Sequence, residues 1–181
     1  CVPLYRTMEN YTFAEQLHSV YTKACKQYAD GKRGAETYFD STETAFLAAN
    51  GITPQHLYDY AEDETAGGEP GWDKALAIEM IRRDYFRNVQ AGKPSKAVLD
   101  ETKMPSKTDE IKGISWLPRI IPKAKAKLRG ELPSSLMYCC GGDRRFFKEH
   151  DINPAEFLST VWRNEKNDAA IVEWVANHKT A

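Results

Sequence analysis

No apolar run in this sequence comes near the length of about 20 residues that crosses a bilayer. The first thirty residues contain no hydrophobic segment of the signal-peptide kind, so no retained signal peptide is expected. Charge of one sign is also lacking. Lys and Arg number 25 against 26 Asp and Glu, which leaves no global footprint for nucleic acid or an anionic membrane. Cysteine is scarce: Cys1, Cys25, Cys139 and Cys140 form no CxxC pair and no disulfide framework. That favours a reducing compartment, the cytoplasm or an organellar lumen. P-loop, GxGxxG and GxSxG motifs are missing, as is any paired-carboxylate signature. His18, His56 and His178 have no HxxxH or HExxH partner, and Cys139, Cys140 and His150 are too few and badly spaced for zinc. No metal and no cofactor are expected. The chain starts at Cys1, which suggests N-terminal processing or a native start at Met8 behind extra residues.

What is present is helical. The 181 residues suffice for one medium domain or two small ones, with a core that removes roughly 70% of the unfolded surface from water. Thr12-Phe13-Ala14-Glu15 has the form of a capping box, and Phe13, Leu17, Val20, Tyr21, Ala24 and Tyr28 follow at helical spacing. Ser41 is expected to cap a short helix through Phe46 and Leu47, which stops at Asn50-Gly51. Thr53-Pro54 opens the next, as N-cap and first helical residue. Residues 65–71 read as a loop, and Asp73 as the cap of a long helix carrying Leu76, Met80, Ile81, Tyr85 and Val89. Residues 92–113 are rich in Lys, Thr, Pro and Asp and read as a linker, with a helical turn near Ala97-Val98-Leu99.

Beyond the linker the pattern returns at an offset of 100. Leu17, Lys23, Ala24, Tyr38, Phe46, Ile52 and Pro54 reappear as Leu117, Lys123, Ala124, Tyr138, Phe146, Ile152 and Pro154. Val20 corresponds to Ile120, Glu43 to Asp143, Thr53 to Asn153 and Leu57 to Phe157. The offset then drops to 94, with Ile78-Glu79 matching Val172-Glu173, because the second stretch lacks the glycine-rich loop around Gly67. The expected fold is all-α: two tandem-duplicated small four-helix units, 10–91 and 114–178, joined by 92–113 and packed about a pseudo-two-fold axis. A minor strand pairing of 35–39 with 135–139 is left open.

The densest chemistry lies in Tyr138-Cys139-Cys140-Gly141-Gly142-Asp143-Arg144-Arg145-Phe146-Phe147. Asp143 falls near a helix start, whose partial positive charge, with the two guanidinium groups, would lower the pKa of an adjacent thiol. Cys139 or Cys140 is therefore a candidate nucleophile with Asp143 as its orienting acid. Alternatively Arg119, Lys123, Tyr138, Arg144 and Arg145 form an anion-binding set with free backbone N–H groups. The plainer reading has Asp143 capping a helix and the cysteines in the core. Lys123, Lys125, Lys127 and Arg129, two apart along a helix, are expected to fan out over its solvent side.

Leu117-Pro118-Arg119, Lys123-Ala124, Asp143-Arg144-Arg145-Phe146-Phe147 and the tryptophan at Trp174 together resemble a bacterial helical family known only as a domain of unknown function, over residues 114–176. The resemblance implies a helix-rich fold and no particular activity. In the first stretch Phe39-Asp40-Ser41-Thr42-Glu43-Thr44-Ala45 replaces the cysteine and arginine run, so the loop's chemistry is expected only in the second. The leading functional expectation is a non-catalytic binding or accessory protein that engages a partner protein or small anionic ligand near 138–147. A thiol-dependent enzyme acting on an anionic substrate is the alternative, and a structural subunit of a larger assembly the third.

Overall fold

The computed structural model describes residues 9–178; Cys1 and Met8, on which the expectations about the N-terminus rest, lie outside them. The fold is all-α. Its helices are α1 (Phe13–Ala29), α2 (Ser41–Ala49), α3 (Pro54–Gly67), α4 (Trp72–Asn88), α5 (Leu117–Arg129), α6 (Gly141–Glu149), α7 (Pro154–Arg163) and α8 (Asp168–His178). The one sheet among the described residues is a hairpin of β1 (Glu110–Ile111) and β2 (Ile114–Ser115). Its two-residue turn, Lys112-Gly113, has both φ values positive, as a type I′ hairpin requires. Segments 35–39 and 135–139 do not pair: Ala35–Thr37 forms a 3-10 turn, and 135–139 is irregular between turns at 134–135 and 138–139. Residues 97–99 are irregular, and the short turn lies at Glu101–Lys103 instead.

Local chemistry places most helix starts. Thr53 accepts from the His56 N–H and Asn153 from the Ala155 N–H, and a proline follows each cap. Three caps differ from expectation. Asp40, not Ser41, closes the capping box with Glu43, since its side chain reaches the Glu43 N–H at 2.9 Å. Thr12 makes no cap bond; its Oγ1 accepts from the Gln16 amide at 2.8 Å. Gly71 precedes α4, with Asp73 already inside it. The helix α3 also continues through Gly67, three residues into the expected loop, before left-handed Gly68 ends it.

Two apolar clusters form the core. Phe13, Leu17, Val20, Tyr38, Leu47, Ile52, Leu57 and Ala61 make the first, from α1 to α3. Leu117, Ile120, Ala124, Leu128, Phe146, Phe157, Val161, Ile171 and Val175 make the second, from α5 to α8. The helix α4 divides its faces between them: Ala75 enters the first cluster, Ile78 and Tyr85 the second. Turn geometry recurs between the halves. Ile52 N–H bonds Leu47 C=O at 3.0 Å, and Ile152 N–H bonds Phe147 C=O at 2.9 Å. Gly51 and Asp151 both take positive φ at those turns.

The basic stripe of α5 does not fan out into solvent. Lys123 and Lys127 are buried, at 2% and 3% exposure. Positions four apart share a flank, and this flank faces a carboxylate on each neighbouring element, Asp143 and Glu79. Lys125 and Arg129 reach outward to Asp168 and Glu165. Pro118 and Pro122, both expected from their missing N–H to lie in or before the first turn, part ways: Pro118 is in the first turn of α5 and Pro122 inside the helix, so the Pro118 carbonyl receives no i+4 N–H.

Candidate functional site

The 138–147 loop enters α6 along a path fixed by one buried acid. Asp143 is fully buried and accepts from three donors. Trp116 Nε1–H reaches Oδ1 at 2.9 Å, Lys123 Nζ reaches both oxygens at 3.0 and 2.9 Å, and Cys139 N–H reaches Oδ2 at 2.9 Å. Burying a carboxylate in an apolar interior is costly unless such partners satisfy its oxygens. The loop backbone bends to supply one of them: Cys139 adopts φ 70, uncommon for a residue with a side chain. Its carbonyl accepts from Arg144 Nη1 at 2.8 Å. Gly142 lies where the Trp116 indole passes closest, in space that a Cβ would occupy.

The two thiols differ. Cys139 is buried, and burial, then the Asp143 carboxylate, push it up to about 12. It is a protonated thiol at neutral pH, the reverse of an activated one. Cys140 is half-buried at the N-cap of α6, and its Sγ accepts from Lys123 Nζ at 3.3 Å.

The remaining candidates scatter. Tyr138 is buried, its hydroxyl donating to the Pro154 carbonyl at 2.7 Å. Arg119 turns away to the Pro105 carbonyl at 2.8 Å, and Arg145 is exposed. Arg144 reaches across to the first half, with Nε on Glu69 at 2.7 Å and Nη1 on Asp63 at 2.6 Å. Lys148 joins Glu69 from the next turn of α6. Beyond these pairs opens a cleft of about 560 Å³, between the α3–α4 turn (Gly68 to Gly71) and the α6–α7 turn (Asp151 to Asn153). The first turn of α4 lines it, with Lys74 alongside and no side chain capping that helix.

A second cluster carried no signal in the sequence. Lys127 Nζ and Tyr60 OH both donate to Glu79 Oε1, the latter at 2.8 Å. Glu79 Oε2 is buried without a hydrogen-bond partner, 3.8 Å from His56 Nδ1. Burial works to raise the Glu79 carboxyl, yet Lys127 and its other partners hold it below the usual range. Burial, then the positive charge of Lys127, holds His56 at about 3, so its ring is neutral. Asp59, one turn along α3, is pushed up to about 6, again by burial. These residues come from three helices, and each sits alone in an amphipathic pattern. Among the described residues no group of three His, Cys, Asp or Glu gathers as for a metal ion, and no helix is long and apolar enough to cross a membrane.

Residues 101–181 match the model of a family described as a domain of unknown function, DUF5069. The match takes in the hairpin and α5 to α8, and begins within the irregular segment ahead of them. No curated protein and no solved structure matches the chain.

Proposed function

We propose that this protein is a non-catalytic binding protein that holds a small anionic ligand in the cleft beside the 138–147 loop. The observation that carries the reading is the seat of Glu69. Its carboxylate lies between Arg144 and Lys148 at the cleft wall, an internal anion where an external one would bind. The first turn of α4, which no side chain caps, faces the cleft from the other wall with Lys74, whose ammonium lies 3.7 Å from the Asp73 carboxylate that also lines it. A carboxylate or phosphate would take over donors now used by Glu69, or share them. Backbone chemical-shift mapping with inorganic phosphate and succinate tests this. Saturable shifts confined to residues 71–74 and 144–148 are expected, and their absence at both anions would overturn the reading.

The site belongs to a helical unit that we read as present twice, through tandem duplication. Supporting this are matched helix starts (Pro54 and Pro154), matched left-handed turns (Gly51 and Asp151) and matched ion pairs. Lys23–Glu43 at 2.6 Å has its counterpart in Lys123–Asp143 at 2.9 Å. In this reading the duplicates diverged at the loop, and the cleft arose where the second copy's α6–α7 turn faces the first copy's α3–α4 turn.

A thiol-dependent enzyme is the second reading, and it rests on Cys140 with the Lys123 ammonium at its sulfur. Selective, rapid alkylation of Cys140, slowed in Lys123→Met, would favour it.

A further inference from the structure

A pocket of about 440 Å³ opens on the first half, between the start of α1, the last turns of α2 and the middle of α4, and shares no residue with the anion cleft. Arg83 and Arg87 line it from α4, one turn apart and therefore on one flank of the helix. Their partners among the described residues are neutral amides. Arg83 Nε donates to Asn50 Oδ1 at 2.5 Å and its Nη2 to Asn10 Oδ1 at 2.6 Å, while Arg87 Nη1 donates to that same Asn10 oxygen. One uncharged oxygen stands between two cations, where an anionic one would be held more strongly.

We infer that this pocket binds a small monocarboxylate, its two oxygens bridging Arg83 and Arg87 and its short hydrocarbon chain against Ala45, Phe46 and Ala49. Donors exceed acceptors here. Of the five N–H groups on each guanidinium, Arg83 commits two and Arg87 one to these amides. Like charges one turn apart also repel, and burial, then the charge of Arg87, pulls Arg83 below the usual arginine range. An anion between them relieves that repulsion. Glu9 is the one acid in the lining, and Asp84, the neighbour of Arg83, is exposed and accepts from Asn88 at 3.1 Å, so the lining stays positive. The carbonyls that end α2 beside the pocket do not compete for the guanidiniums. Phe46 C=O accepts from Asn50 Nδ2, and Leu47 and Ala48 from backbone N–H groups. Arg83 is held ready by the buried Asn50 and by the Phe13 ring, 4.5 Å away. Phosphate, or the far end of a dicarboxylate, would turn charged oxygens onto Phe46 and the two alanines with no donor to meet them, which disfavours both.

The test is backbone chemical-shift titration of the intact chain with butyrate, with butyramide as the uncharged shape match, and with inorganic phosphate. Saturable shifts at Asn10, Ala45, Ala49, Arg83 and Arg87 are expected for butyrate, with binding at least about tenfold weaker for butyramide and for phosphate at these residues. Arg87→Gln, a change at an exposed position, should weaken butyrate about tenfold and leave butyramide unchanged. Equal binding of butyrate and butyramide, phosphate matching butyrate here, butyrate binding indifferent to Arg87→Gln, or no saturable shift with butyrate would each overturn the inference. Anion binding at the cleft is read at residues 71–74 and 144–148, so the two sites stand or fall separately.

Discussion

Lys123 and Asp143 meet at 2.9 Å with both side chains sealed from solvent, and one hundred residues earlier Lys23 and Glu43 make the same pair half-exposed. The second pair also holds the loop, because Asp143 binds the Cys139 backbone and the Trp116 indole. Removing one partner strands a buried charge, whereas removing both does not. Lys123→Met and Asp143→Asn are each expected to cost about 3–5 kcal/mol, with the double variant costing clearly less than the sum of the two. Lys23→Met should cost at most about 1 kcal/mol, since solvent screens that pair. Urea denaturation of the five proteins reads all of these differences.

Gly142 is expected to tolerate no side chain. A Cβ there would enter the Trp116 indole, which cannot withdraw without giving up its bond to Asp143. Gly142→Ala should therefore destabilise by about 1–3 kcal/mol and alter Trp116 fluorescence. Gly141→Ala, whose nearest neighbour is the far end of Arg144, should do neither.

His56 and Asp59, in the cluster around Glu79, predict opposite pH slopes. Asp59 titrates near 6 in the folded chain and near the ordinary 3.8 when unfolded. Between those values the folded state keeps a proton that the unfolded state has lost, so stability falls as pH rises, and the full penalty persists above about 6. Asp59→Asn should raise stability at pH 7.5 by up to about 3 kcal/mol and match the parent near pH 3.5. For His56, held at about 3 against an ordinary 6.5, the unfolded state takes the proton first, so stability falls as pH drops below 6.5. His56→Gln should flatten that acid limb. Thermal melts from pH 3.5 to 7.5 check both.

Cys139 carries on the order of 10³-fold less thiolate at neutral pH than an ordinary cysteine. Under native conditions iodoacetamide should modify Cys140 well before Cys139, with Cys139 labelled only on unfolding. Peptide mapping over time would show the order, and early labelling of Cys139 would contradict the buried, protonated thiol found here.

Helix positions were largely legible in the sequence, because Thr53-Pro54, Asn153-Pro154 and the apolar spacing of α1 act locally. Corresponding positions such as Ile52 and Ile152 could be aligned by the same caps and turns. What remained hidden depends on partners far along the chain. Lys123 and Lys127 sit on the edge of an apolar stripe, and only Asp143 and Glu79, 20 and 48 residues away, draw them inward. Arg119 and Arg144 read alike as cations near a loop, yet one is turned to Pro105 and the other to Asp63 and Glu69. The residues that face His56 and Asp59, Lys127, Leu132 and Leu136, lie some seventy residues further along the chain, so no local pattern marks that surrounding.

The most direct test of anion binding is phosphate affinity in the parent chain and in Glu69→Gln, by calorimetric titration at low ionic strength. If Glu69 occupies the ligand's donors, its neutral amide frees Arg144 and Lys148, and phosphate should bind about tenfold more tightly. Unchanged or weaker binding in Glu69→Gln would contradict the account, leaving the Arg144 and Lys148 pairs as a structural clasp between the two halves.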